Sequence, residues 1–144
     1  MATRLATYDD LAMITDLMNE FHSKPASQED LSAQVKLIID SKQSDILLVC
    51  NQEDAPVGMA IVNLIHKLPK VECRFNEIIV SEAARGQGYG AELLKACEDW
   101  AWMKNADLIQ FTSRKSREQA NNFYQKMGYT TRDSNVYERL RNVQ

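Results

Sequence analysis

The run Phe75-Asn76-Glu77-Ile78-Ile79-Val80-Ser81-Glu82-Ala83-Ala84-Arg85-Gly86-Gln87-Gly88-Tyr89-Gly90 changes character halfway along. Its first six residues continue a β-rich segment that begins at Val71. Beyond the glycines, Leu94, Cys97 and Ala101 recur at helical spacing with Trp100 flanking them, which predicts a helix from Gly88 to about Met103. A glycine-rich crossing from strand to helix lets the backbone approach a ligand and turn successive N–H groups towards it. The helix start adds unsatisfied donors and about half a positive charge. With Arg85 as a fixed cation, this pattern suits a pyrophosphate.

Outward from this run, Asp107–Thr112 reads as a short strand and Ser116–Met127 as a helix that Gly128 stops. The strand–helix–strand unit over 71–112 predicts two neighbouring parallel strands. On the N-terminal side, Asp45–Cys50 and Val57–Ile65 are extended runs joined by a polar turn, which predicts antiparallel neighbours. Leu11, Ile14, Met18 and Phe21 give an amphipathic helix over about Asp10–Phe21, with Asp9-Asp10 as the capping pair. Ser27 and Asp30 resemble a capping box for a second helix to about Asp40. A first strand lies near Thr3–Thr7, and Tyr129–Thr131 with Val136–Leu140 reads as a final hairpin. The expected fold is α/β: a mixed, mostly antiparallel central sheet flanked by helices, in the order β-α-α-β-β-β-α-β-α-β-β. No repeat, low-complexity tract or linker divides residues 1–144, so one domain is expected.

Composition narrows the function. Hydrophobic residues make up 44% and charged residues 26% of the 144, the balance of an ordinary globular chain. A net charge of −3 argues against nucleic acid or an anionic membrane as partner. The basic cluster Arg114, Lys115 and Arg117 reads as solvated surface. No run approaches the ~20 apolar residues of a membrane span, and the N-terminus lacks the apolar core of a signal peptide. Cys50, Cys73 and Cys97 are odd in number and widely spaced, which fits buried free thiols in a cytoplasmic protein. With two histidines, His22 and His66, a multi-histidine metal site is not expected.

Two other phosphate-binding readings fare worse on the letters. A nucleoside triphosphatase P-loop requires Lys-Ser or Lys-Thr after the glycines, and neither follows. Gly86, Gly88 and Ala91 satisfy G-x-G-x-x-A, but a dinucleotide site needs an acidic residue ending the next strand, and Asp107 begins it. Only about 55 residues follow the loop, too few for most of a doubly wound sheet.

Arg85-x-x-Gly88-x-Gly90 resembles the [QR]-x-x-G-x-[GA] signature of the GCN5-related N-acetyltransferases. Ala120-Asn121-Asn122-Phe123-Tyr124-Gln125-Lys126-Met127-Gly128-Tyr129 is similar to that family's A-x-x-F-Y-x-x-x-G-[FY] segment, and helix, strand and helix fill the space between, as in the family. The resemblance covers essentially the whole chain and is most specific over residues 72–130. It implies a single acetyltransferase domain that uses acetyl-coenzyme A as cosubstrate and no metal. The pyrophosphate would lie on the amides of Gln87, Gly88 and Gly90 beside Arg85. The pantetheine arm would pair with Ile78 to Val80, a backbone N–H near Val80 polarising the thioester carbonyl. Tyr124 would donate a proton to the leaving thiolate, Glu77 would serve proton removal from the amine, and Asn121 and Ser113 would touch the coenzyme. Glu20, Phe21, His22 and Tyr137 stand on elements that line the acceptor in this family. His22 by itself reads as an ordinary exposed histidine. The expected acceptor is a primary amine of a small molecule, attacked directly without a covalent acyl-enzyme. A protein N-terminus or lysine is the second choice, and a non-catalytic acyl-coenzyme A sensor or partner module the rival. Pairing as a homodimer is common in the family.

Overall fold

The β-rich run ending in the glycines forms the fourth strand of a five-stranded sheet, and a computed structural model describes residues 1–141 of the chain. The polypeptide forms two compact units, Met1–Thr112 and Ser113–Gln144. In the first, strands β1 (Ala2–Leu5), β2 (Ser44–Cys50), β3 (Pro56–His66), β4 (Val71–Val80) and β5 (Leu108–Gln110) lie side by side in chain order. The β1–β2, β2–β3 and β3–β4 pairs are antiparallel and β4–β5 is parallel. Helices α1 (Leu11–Phe21) and α2 (Gln28–Asp40) precede β2, and α3 (Tyr89–Met103) joins β4 to β5. This is the mixed, mostly antiparallel sheet that the sequence predicts.

Alternation along the strands splits the core in two. Ile46 and Leu48 of β2, Met59 of β3 and Ile79 of β4 meet Ile14 and Leu17 of α1 and Val35 of α2. Leu47 and Val49 point the other way, to the face that α3 covers with Leu93, Leu94, Cys97 and Ala101, all buried. Trp100 Nε1 donates to Asp45 Oδ2 at 2.9 Å across that face. The three cysteines are free and buried, and burial pushes the Cys73 thiol up to about 11.

Local signals act as their chemistry demands. Asp30 N donates to Ser27 Oγ at 3.1 Å while Ser27 N donates to Asp30 Oδ2 at 2.9 Å, a capping box with Asp in place of Glu. The Asp9-Asp10 pair does not cap α1 as expected. Tyr8–Asp10 is a 3-10 turn, and the Asp10 carboxylate reaches back to Thr7 N and to Arg4.

In the second unit, α4 spans Glu118–Lys126 and ends at Gly128, whose φ of +97° suits the left-handed position that closes a helix. The expected final hairpin is not formed: residues 129–140 carry no regular structure. Val136, Tyr137 and Leu140 are 76%, 89% and 63% exposed. Two strands with no buried face do not offset their ordering entropy.

Candidate active site

Two features of β4 shape an open edge beside the glycine loop. Its ladder with β5 covers only Glu72–Arg74 against Leu108–Gln110. From Asn76 to Val80, no strand among the described residues pairs with β4 on that side. The β3–β4 register also shifts, so that Ala60 lies opposite both Glu77 and Ile78, a β-bulge. Glu77 takes φ +50°, a left-handed conformation that costs a non-glycine residue roughly 1–3 kcal/mol. Asn76 pairs with Ile61 and Ile79 with Met59, and both partners belong to the α1/α2 side of the core. The bulge therefore brings two residues three apart to one face, where unbroken alternation would separate them.

The direction of the amides follows from the ladder. Ser81 N donates to Val57 O at 2.8 Å, in the same register as Met59–Ile79 and Gly58–Val80. Opposed residues alternate between bonded and non-bonded pairs, so Val80 turns its N–H and C=O away from β3. Arg85 Nε donates to that Val80 carbonyl at 3.3 Å, which folds the glycine loop back onto the end of the strand.

Gly86 and Gly88 have φ of +76° and +89°, and Gly88 is the N-cap of α3. No side chain caps this helix. Its first intrahelical bond is Glu92 N to Gly88 O, so the amides of Tyr89, Gly90 and Ala91 find no acceptor within it. Gln87 Nε2 donates to Ala83 O at 3.3 Å, leaving its side chain as a brace of the loop. A strand edge with outward amides binds an extended amide chain, and an uncapped helix start binds an anion. Joined by one short loop, they suit a ligand with an amide arm and a phosphate end.

The C-terminal end of α1 closes one side of this edge through three consecutive residues. Glu20 accepts from Ser81 Oγ at 2.9 Å and from Glu82 N at 3.1 Å. The Phe21 ring lies under the Arg85 guanidinium, 5.0 Å from the centroid. His22 Nε2 stands 3.5 Å from Glu77 Oε2.

The structure thus brings Glu77, Ile78, Val80, Arg85, Gln87, Gly88 and Gly90 together on β4, the loop after it and the first turn of α3. Tyr124 and Asn121 stand on α4 in the second unit. There Asn121 Nδ2 donates to Arg114 O at 3.0 Å, and Tyr124 is buried with its ring tilted against Phe123. Burial holds the Tyr124 hydroxyl above its ordinary value, against the opposing charge of Arg117. The Ser113 hydroxyl is buried with no hydrogen-bond partner. Ser81 is the residue that sequence reasoning missed. Nothing in the letters links it to Glu20, 61 positions earlier on another element.

The family model of the acetyltransferase (GNAT) family matches residues 11–129. The chain belongs to that family. This GNAT chain also superposes on solved structures over nearly its whole length. A protein from Agrobacterium tumefaciens described as an acetyltransferase gives a TM-score of 0.89 at 18% identity, covering 97% of this chain and 100% of that one. A transcriptional regulator from Bacillus halodurans gives 0.83 at 24%, covering 96% and 99%. Glucosamine-6-phosphate N-acetyltransferase from Arabidopsis thaliana gives 0.83 at 12%, covering 97% and 98%. At these identities the likeness is one of fold. Among curated proteins, none matches the chain. Acetyl-coenzyme A is the general cosubstrate of the family, and the edge of β4 with the mouth of α3 offers what its pantetheine amides and diphosphate require. Among the described residues, no helix is long and apolar enough to cross a membrane.

Proposed function

We propose that this GNAT chain moves the acetyl group of acetyl-coenzyme A to the primary amine of a small molecule, by direct attack. The observation that carries the reading is the unpaired edge Asn76–Val80 running through Arg85 into the uncapped start of α3. On it, the pantetheine arm extends the sheet, the diphosphate sits at the helix mouth, and the outward Val80 N–H polarises the thioester carbonyl. The amine nitrogen adds to the carbonyl carbon to give a tetrahedral intermediate, from which the carbon–sulfur bond then breaks. Tyr124 supplies the proton that the thiolate takes up, a role supported by the likeness of its Phe123-Tyr124 pair to the family's F-Y segment. An alkylamine is mostly protonated at neutral pH, so a proton leaves it before attack, and Glu77 serves that step. Burial of all three thiols, each held above its ordinary range, favours direct transfer over a cysteine-bound acyl group.

Thiol release from acetyl-coenzyme A across chemically diverse amines, with peptide N-termini and lysine peptides as further arms, tests the proposal. Release with small amines is the expected result. Release only with peptides moves the acceptor class. Calorimetric binding of acetyl-coenzyme A with no release in any arm replaces the enzyme by a sensor or partner module.

A further inference from the structure

We propose that His22 is the base that takes the proton from the acceptor amine, with Glu77 holding its imidazole. This rests on the acetyl-transfer reading above and deepens it, since Glu77 then acts through a neighbour.

Two independent features point to the pair. The first is placement. His22 follows α1 directly, with its backbone extended and its N–H bonded to Met18 O. Its two predecessors are anchored, Glu20 on Ser81 and the Glu82 amide and Phe21 beneath Arg85. His22 is thereby held next to β4, where its imidazole approaches Glu77. The second is the bulge. Glu77 is the β4 residue that takes a left-handed conformation, and its carboxylate meets Nε2 at 3.5 Å. Strain of this kind persists where the surroundings over-determine it, and it clusters at functional sites.

The chemistry favours imidazole over carboxylate. A positioned imidazole is the side chain that most often takes a proton from a reacting group. With Glu77 accepting from Nε2–H, the ring presents Nδ1 as its basic atom, the division of labour between an orienting carboxylate and a histidine base. The distance is longer than a good hydrogen bond, as catalytic contacts often are before substrate arrives. The side chains of His22 and Glu77 are 48% and 37% exposed, so a small amine reaches them. The protons balance: Nδ1 takes one from the ammonium and passes it to solvent. The second amine proton, lost after the carbon–nitrogen bond forms, replaces the one given to the thiolate.

The test is chemical rescue. H22A should bind acetyl-coenzyme A like the wild type by calorimetry, while amine-dependent thiol release falls on the order of a hundredfold. Added imidazole should restore at least roughly tenfold of that loss, because the exposed position leaves room for it. The H22A/E77Q double variant should be no slower than H22A, since residues acting as a unit are not additive. H22A turning over at the wild-type rate, or slowed and insensitive to imidazole, overturns the role of His22 alone. Wild-type protein that binds the coenzyme and releases no thiol with any amine overturns the transfer reading and this role together.

Discussion

Phe75 and Phe111 stack with ring centroids 5.9 Å apart and planes 9° from parallel, one residue beyond the last paired positions of β4 and β5. The stack continues the contact between the two segments past their last paired residues by non-polar packing. Phe111→Ala removes an aromatic pair and part of a half-buried ring, so a loss of about 2 kcal/mol is expected. Thermal unfolding should begin roughly 5–10 °C lower. Acetyl-coenzyme A should also bind more weakly, because the edge of β4 beyond Arg74 is less firmly held. A melting temperature within a degree of the wild type would show that the stack does not hold the strands.

Gly58 faces Val80 across β3–β4 and has no room for a side chain. A Cβ there would lie 2.8 Å from Val49 Cγ1 and 2.9 Å from the Ile79 carbonyl oxygen. The side chain could shift, but the backbone oxygen could not without moving the strand that carries Val80. Gly58→Ala should cost about 1–3 kcal/mol, seen as a lower urea midpoint at unchanged m-value. A midpoint equal to the wild type would mean that β3 and β4 adjust freely at this crossing.

The strand, the glycine turn and the helix after it were legible because their signals are local. Val71–Val80 and the start of α3 are each decided by residues within a few positions, as are the Ser27–Asp30 box and the stop at Gly128. The bulge was not legible. It depends on a register offset between two strands, and Glu77 carries no mark of a left-handed backbone. The closing contacts of α1 were equally hidden: Glu20 with Ser81 and His22 with Glu77 join positions far apart in the chain. The missing hairpin is the reverse error. Val136 and Tyr137 have strand-like letters, yet burial decides whether such letters become a strand.

Asp10 is held by Arg4 through two bonds of 2.8 Å and by Thr7 N at 2.9 Å. The Arg4 hydrogen bonds hold its carboxyl below the usual range, with partial burial opposing and the Thr7 amide assisting. A carboxyl depressed in the folded state stabilises above its unfolded value and loses that contribution as pH falls through the folded one. Asp10→Asn should therefore cost about 1–2 kcal/mol at pH 7, allowing for the partly exposed arginine. The gap to the wild type should close as the solution is acidified below about pH 4. Denaturant titrations of both proteins across that range check the sign. A gap independent of pH would assign the loss to packing.

Tyr124→Phe keeps the ring and removes the proton. Turnover should fall about ten- to a thousandfold with the KM for acetyl-coenzyme A little changed. Steady-state thiol release decides it, and unchanged turnover removes Tyr124 from the chemistry.

Gly86 and Gly88 both hold positive φ, so alanine at either position carries similar strain, about 1–2 kcal/mol. They differ in what their backbone aims. Gly88 is the N-cap from which the amides of α3 open, and Gly86 lies before it. A Cβ on Gly86 meets nothing and one on Gly88 meets only Met1 Cε at 3.8 Å, so steric crowding does not separate the two variants. If the mouth of α3 holds the diphosphate, Gly88→Ala should weaken acetyl-coenzyme A binding by at least roughly tenfold, and Gly86→Ala by clearly less. Calorimetry on both variants, with unfolding measured alongside, separates strain from aim. Equal losses of affinity would mean that the loop as a whole, and not the helix mouth, contacts the coenzyme.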